Sequence, residues 1–337
     1  MLPRNIGSVI RAQLRYFGDA FAMLIFPVGE ADIVAMFDAK PKVVLRQSVS
    51  VASPPLLTAI ARVRKSGVEV KVLLGPKPDY EVVNNQIMIG SRPYAFHAGA
   101  ELGALKAADV PIYINPNFNE LRGTDVVPGA ASHASYLVTD TGASILCTGT
   151  WSDVGFRQKN ICLKSEDRNR ALALTALHNA DFDFSRATED RHRREQVARK
   201  TLLVCPGCEG VLGEMLTGAQ AIYLRVSGLG DARELIAILF TQATKLRLIL
   251  PAAYRDQNPA VAELAKLGAQ VRYVDDDFDG LMIVGRNTDG EIKGLIGSLR
   301  LTQSSLRQSR EVAAIATGED ALGLSRLWDR EWQSGRP

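Results

Sequence analysis

Short runs of aliphatic and β-branched residues alternate along this chain with stretches whose apolar positions recur every three to four residues. Runs of the first kind predict strands and stretches of the second predict helices, so the order predicts an α/β chain with helix-covered sheets. In the first half, strands are expected at Ala22–Phe26, Lys42–Val51, Val68–Leu74, Pro111–Ile114, Ser135–Thr139 and Ser144–Cys147. Helices are expected at Glu30–Asp38, Pro54–Lys65, Ala98–Ala108 and Glu166–Asp181. Ser53-Pro54 marks a helix start, because a side-chain acceptor precedes a residue that needs no backbone donor.

The second half repeats this order. Strands are expected at Thr201–Cys205, Ala221–Val226, Leu246–Leu250, Val271–Val274, Leu281–Val284 and Gly294–Ile296. Helices are expected at Glu209–Leu216, Asp231–Thr244, Ala260–Leu267 and Glu319–Trp332. An internal repeat of about 150 residues accounts for both halves. The expected organisation is an N-terminal amphipathic segment at 1–20, a first repeat at 21–184, a polar connector at 185–200 and a second repeat at 201–337. The connector mixes both signs of charge and reads as a solvated helix.

Composition changes this picture little. The chain has 337 residues, 46% hydrophobic and 23% charged, with a formal net charge of +3. That is long enough for two packed units, and the charge is too mild to indicate nucleic acid. No apolar run approaches the roughly 20 residues of a membrane-spanning helix. In the first 20 residues, Arg4, Arg11 and Arg15 accompany Ile6, Val9, Ile10, Leu14 and Phe17 at near-helical spacing. Such a segment either packs on its own domain or lies on an anionic membrane surface. Cys147 and Cys205 sit on apolar strands, where unpaired thiols pack as small hydrophobes. That usage suits a reducing compartment, hence a cytoplasmic protein, with membrane association through residues 1–20 as the variation. Cys205-Pro206-Gly207-Cys208 has redox-motif spacing, which alone is a weak signal. Gly228-Leu229-Gly230 is a turn, and no Walker or dinucleotide-type phosphate loop is present.

The most telling pattern occurs twice. The first copy runs His133-Ala134-Ser135, then Asp140, then Thr148-Gly149-Thr150, with Asn160 following. The second runs Asp279-Gly280-Leu281, then Arg286, then Ile296-Gly297-Ser298, followed by Ser304-Ser305-Leu306 and Arg310-Glu311. This resembles the duplicated site of the phospholipase D superfamily, whose motif is H-x-K-x4-D followed by G-S-x-N. The resemblance implies an α/β fold of two similar phospholipase D-like α/β/α lobes, with mixed sheets flanked by helices and a pseudo-two-fold axis relating them. It also implies that the two sites meet at a central cleft. One histidine would attack phosphorus and the other would protonate the leaving oxygen, while lysines and Gly-Ser-x-Asn side chains hold the phosphoryl oxygens.

Against that pattern both copies are degenerate. The first keeps His133 and Asp140, the catalytic pair if the protein is active, but has Ser135 where the lysine belongs. Thr150 replaces the serine as hydroxyl donor, and Ser152 stands at the asparagine position. In the second copy Asp279 replaces the histidine, Leu281 the lysine and Arg286 the aspartate, while Gly297-Ser298 is retained and Arg300 replaces the asparagine. No histidine follows His192, so a histidine pair across the halves cannot form within one chain. Arg286, Arg300, Arg307 and Arg310 surround the second site; Arg286 and Arg300, if they point into the cleft, could bind phosphate bidentately, and otherwise these arginines lie on the surface. The run Asp275-Asp276-Asp277-Phe278-Asp279 is a solvated loop or, with several carboxylates converging on His133, a divalent-cation ligand set, while Asp279 alone could instead pair with Arg300 or Arg310.

Two functions follow. One is a pseudoenzyme whose inherited cleft binds a phosphate-containing small molecule or phospholipid headgroup, or whose surface binds a protein partner. Its ligand residues would be Ser135, Thr150, Ser152, Asp279, Ser298, Arg300 and Arg310. The other is a divergent phosphodiesterase or phosphatidyltransferase, cardiolipin synthase-like, with His133 as nucleophile. Neither calls for a cofactor or a bound metal.

Overall fold

The computed structural model describes residues 21–25, 30–38, 41–48, 53–74, 81–83, 86–89, 92–93, 98–114, 133–151, 153–182, 188–255 and 258–337. The expected amphipathic segment at 1–20 lies outside them. In the first half the strands are β1 (Phe21–Ile25), β2 (Val43–Ser48), β3 (Glu69–Leu74), β4 (Glu81–Val83), β5 (Gln86–Ile89), β6 (Arg92–Pro93), β7 (Ile112–Ile114), β8 (Ser135–Thr139), β9 (Ser144–Cys147) and β10 (Ile161–Ser165). The second half contributes β11 (Leu202–Cys205), β12 (Ala221–Val226), β13 (Leu246–Pro251), β14 (Gln270–Val274), β15 (Leu281–Arg286), β16 (Ile292–Gly297) and β17 (Glu311–Ala316).

These strands build two seven-stranded sheets of the same order, β1-β10-β9-β8-β2-β3-β7 and β11-β17-β16-β15-β12-β13-β14. The short strands β4–β6 form a separate sheet. In each large sheet the last three strands are parallel and the others antiparallel. The expected α/β architecture of two similar lobes with mixed, helix-flanked sheets is therefore the observed one.

Three apolar cores separate the layers. Helices Glu30–Asp38 and Pro54–Lys65 cover one face of the first sheet through Ile33, Phe37, Leu56 and Ile60. Ser53 caps the second of these, accepting from the Leu56 N–H at 3.2 Å. Helices Glu209–Thr217, Arg233–Thr241 and Pro259–Lys266 cover the outer face of the second sheet. The third core lies between the sheets and joins Tyr136, Leu146 and Leu163 of one lobe to Met282, Ile296 and Val312 of the other. Helices Arg168–Phe182 and Gly318–Ser334 complete it with Leu174, Leu177, Leu324 and Trp328. At its margin Arg225 is buried against Glu331, donates to the Lys159 carbonyl at 2.7 Å and lies over the Phe278 ring.

The register carries the repeat down to single residues. Ser135 faces Cys147 as Leu281 faces Gly297, and Cys147 faces Cys162 as Gly297 faces Ala313. With His133 matched to Asp279, Cys147-Thr148 corresponds to Gly297-Ser298, Thr150 to Arg300 and Asn160 to Glu311. The sequence match of Gly149-Thr150 to Gly297-Ser298 is thus corrected by two residues. The cause is hairpin length: five residues separate Val138 from its partner Ser144, and nine separate Val284 from Gly294.

Three further expectations change. Strands β10 and β17 were not legible in the pattern. Residues Ala313, Ala314 and Ala316 make β17 rich in a strong helix former, and burial in a sheet centre overrides that preference. The connector is not merely solvated: helix Thr188–Ala198 packs against Arg168–Phe182. Arg199, just beyond it, donates to the carbonyls of Val204 and Pro206. Finally, the cysteines are paired, Cys147 with Cys162 across β9–β10 and Cys205 with Cys208. The reducing-compartment expectation rested on unpaired thiols and loses that support. Among the described residues no helix is long and apolar enough to cross a membrane.

Gly280 closes the seam between the lobes. Its φ is +73°, and a Cβ there would collide with the carbonyl oxygens of Gly297 and Thr148, one from each lobe. Backbone atoms on both sides cannot yield as a flexible side chain would. Gly280→Ala is expected to lower stability by roughly 2 kcal/mol or more, read as a reduced midpoint in urea or thermal unfolding.

Candidate functional site

The site is assembled where β8 and β15 begin and β9 and β16 end. The backbone N–H groups of His133 and Ala134 both donate to the Arg310 carbonyl, at 3.0 and 3.2 Å. This pins the start of β8 in the first lobe to the residue preceding β17 in the second. The next residue, Glu311, accepts from His133 Nδ1, with 2.7 Å between Nδ1 and Oε1. Ser298 Oγ donates to Glu311 Oε2 at 2.6 Å and Ser305 Oγ to Oε1 at 3.0 Å. A fully buried carboxylate is costly unless several donors compensate it, and here three side chains do so.

Ser305 is placed by a short helix, Gln303–Arg307, whose N-cap Thr302 accepts from the Ser305 N–H. Ser305 Oγ also accepts the Arg300 N–H at 2.9 Å, so the loop carrying Arg300 is tied to the same carboxylate. The bond at Nδ1 leaves Nε2 for a ligand, and in the neutral ring Nε2 is the lone-pair nitrogen. Burial by itself lowers the His133 pKa, but the adjacent Glu311 carboxylate overcomes this and the value is raised above 6.5. Arg300 acts downward on the same ring and Asp279 upward, which sets both within electrostatic reach of it.

The other half of the site is the second copy. Arg300 Nη2 donates to Asp279 Oδ1 at 2.7 Å. The Asp279 N–H donates to Asn160 Oδ1 at 2.7 Å. Asn160 is the counterpart of Glu311, so each lobe supports the other's motif residue from the same register position. The hydroxyls are mirrored too: Thr148 Oγ1 accepts from the Ile161 N–H, and Ser298 Oγ from the Val312 N–H. Thr148, not Thr150, therefore holds in the first lobe the hydroxyl position that Ser298 holds in the second.

Several expected site residues stand elsewhere. Asp140 lies at the far end of β8, exposed, where it accepts the Lys42 N–H at 2.9 Å. A strand rises about 3.3 Å per residue, so it cannot orient His133, and Glu311 does so instead. Arg310 is fully buried, bonded to Asp181 at 2.9 Å and Glu195 at 3.1 Å, and is no ligand residue. Ser135 is buried and its hydroxyl lies 3.4 Å from the His133 carbonyl. Ser298 is buried with its hydroxyl engaged by Glu311. Thr150 is half-buried, at the register position of Arg300, and Ser152 lies outside the described residues. Arg286 ends β15, away from Asp279, and Arg307 pairs with Glu209 and Glu234 on the surface. Asp276 pairs with Lys159 and Asp275 with Arg336, so the acidic run is divided among cations. The residues brought together are His133, Asp279 and Arg300, with Ser298 beneath them. Glu311, Ser305 and Asn160 stand in the flanks of the two motifs, and that position was the available signal for them.

The fold is two similar α/β lobes packed along one seam, and solved structures share it. The chain is similar to phosphatidylserine synthase of Haemophilus influenzae Rd KW20, at 11% identity and a TM-score of 0.66, covering 98% of this chain and 91% of the other. It is similar to polyphosphate kinase of Porphyromonas gingivalis, at 14% identity and a TM-score of 0.62, covering 93% of this chain and 47% of that longer one. A mutant yeast tyrosyl-DNA phosphodiesterase matches at 12% identity and a TM-score of 0.52, covering 89% of this chain and 91% of that chain. No protein-family model matches the sequence, and neither does any curated protein.

Two titrations check this geometry. By NMR, His133 should titrate above 6.5, and Glu311→Gln should bring its midpoint below that value because burial and Arg300 then outweigh the upward pull of Asp279. The raised value stabilises the fold below the ordinary histidine pKa, and this contribution is lost as pH rises through the folded-state pKa. Glu195 behaves oppositely: burial pushes its carboxyl up, but Arg310 and Arg199 pull it down to about 2. Its contribution is present above the ordinary carboxylate value and lost as pH falls toward about 2. Glu195→Gln should remove roughly 1–3 kcal/mol at neutral pH and flatten the acid limb of the stability profile.

Proposed function

We propose that this chain binds a phosphate-containing ligand in the cleft between its lobes and does not turn it over by a two-histidine route. The observation that carries this reading is the Asp279–Arg300 pair. A two-histidine route needs a proton donor opposite the attacking imidazole. Here that position holds a carboxylate accepting from Arg300, and the chain has no histidine after His192. What the cleft offers is a planar guanidinium beside His133, both suited to phosphoryl oxygens. Bound phosphate exchanges with Asp279 for the donors of Arg300.

A second reading is favoured by one specific observation, the complete support of His133 by Glu311, Ser298 and Ser305. An imidazole held this way could attack phosphorus through Nε2, expelling the ester oxygen, which takes its proton from water. Water would then cleave the phosphohistidine. That makes the protein a divergent phosphodiesterase or transferase.

Calorimetric titration with inorganic phosphate and vanadate separates these readings. Binding is expected to the unaltered protein and to weaken roughly tenfold or more in Arg300→Ala, since a charge-assisted hydrogen bond contributes about 1.5–3 kcal/mol. Asp279→Asn should tighten it, because Arg300 loses its internal competitor. Bis-nitrophenyl phosphate should remain uncleaved. Nitrophenolate release that disappears in His133→Ala would instead establish the second reading, and absence of phosphate binding would sink the first.

A further inference from the structure

The loops following the parallel strands β12 and β13 stand at the same end of the second sheet as Asp279 and Arg300. After β12 comes Ser227-Gly228-Leu229-Gly230, a turn that the motif residues do not explain. It is locked to the segment carrying Arg300. Leu229 forms a parallel bridge with Leu301, and the Gly230 N–H donates to the Leu301 carbonyl at 3.1 Å. Asn258 Nδ2 holds the Leu229 carbonyl from the other side at 2.7 Å. A Cβ at Gly230 would come within 2.9 Å of the Leu301 carbonyl oxygen, so this approach needs glycine. In that parallel register, Gly228 is the neighbour of Arg300.

The ring of Tyr254, from the turn Ala252–Tyr254 after β13, lies over Gly228. A Cβ at Gly228 would sit 3.2 Å from the ring's Cε1, tighter than ordinary van der Waals contact, so the missing side chain is the ring's seat. Tyr254 nevertheless keeps 37% of its surface exposed. The adjacent Arg255 is turned away, bonded to the Pro337 carbonyl and stacked 4.7 Å from the Tyr273 ring. A rigid glycine turn thus joins an exposed aromatic ring, seated on backbone, to the loop whose Arg300 guanidinium pairs with Asp279.

From this juxtaposition we infer that the cleft selects phosphate esters carrying a planar ring, with Tyr254 as the stacking platform and Arg300 as the phosphate ligand. The inference rests on the phosphate-binding reading above and names the ligand class for that site. An aromatic platform beside a cation suits a mononucleotide better than a glycerol-based headgroup. Stacking on a flat ring rewards any base, and a glycerol phosphate has no ring to offer.

Adenosine 5′-monophosphate and ribose 5-phosphate differ only by the base, so their calorimetric affinities isolate the ring. The nucleotide should bind roughly thirtyfold more tightly to the unaltered protein, the middle of the range for one stacked base. Tyr254→Ala should bring it down to the ribose 5-phosphate level without changing the affinity of inorganic phosphate. Tyr254→Phe should keep the preference and confirms an intact fold, while Arg300→Ala should weaken all three ligands together. Equal affinities in the unaltered protein, or a preference that survives Tyr254→Ala, overturn this inference and leave the phosphate site standing. Failure of all three to bind removes the phosphate site, and the ring preference falls with it.

Discussion

Two consecutive residues, Arg310 and Glu311, hold this structure together where its lobes meet. Successive side chains at a strand start point to opposite faces, so the pair divides its charges. The arginine goes into a buried cage of Asp181 and Glu195, on the two helices that end the first half. The glutamate goes toward the seam, where His133, Ser298 and Ser305 surround it. Between them the Arg310 carbonyl receives the N–H groups of His133 and Ala134. Both charges are buried, and a buried charge is tolerated only when its partners are in place. Neither lobe supplies those partners alone, so the native pairing of lobes is the arrangement that satisfies them.

The same constraint explains why the site is asymmetric in chemistry yet symmetric in build. Asn160 stands where Glu311 stands in the other lobe, and each reaches across the seam to the opposite motif residue. On one side the support is charged and the supported group is an imidazole. On the other it is a neutral amide, and the supported residue is an aspartate whose side chain is engaged by Arg300. The build of the two halves is repeated across the seam, while the charges of Asp279 and Arg300 close on one another. The glycine turn at Gly228–Gly230 extends this arrangement outward, since its bonds to Leu301 tie it to the loop of Arg300.

Much of this was legible in the chain. The alternation of strand-like and helix-like runs, the Ser53-Pro54 start and the doubled motif lead to two similar α/β lobes, because periodicity and turn chemistry act locally. His133, Asp279, Ser298 and Arg300 were legible as motif positions for the same reason. Strand β17 was not, because its alanines favour a helix until both of its edges are paired. Asp140 was misplaced because a motif records spacing along a strand, and five residues of extended chain carry a side chain well away from the site. The match of Thr150 to Ser298 failed because the longer second hairpin shifts the register, which only the facing residues reveal.

The sequence by itself determined the architecture, the duplication and the absence of any histidine after His192, all of which follow from residue identity and local pattern. Tertiary structure alone decided who serves whom. It gave His133 to Glu311 across 178 positions of chain, buried Arg310 away from any ligand, closed Arg300 on Asp279 and seated Tyr254 on Gly228. These contacts depend on how two sheets pack through a shared core and on which buried charges can then be satisfied. Spacing along one chain carries no record of either.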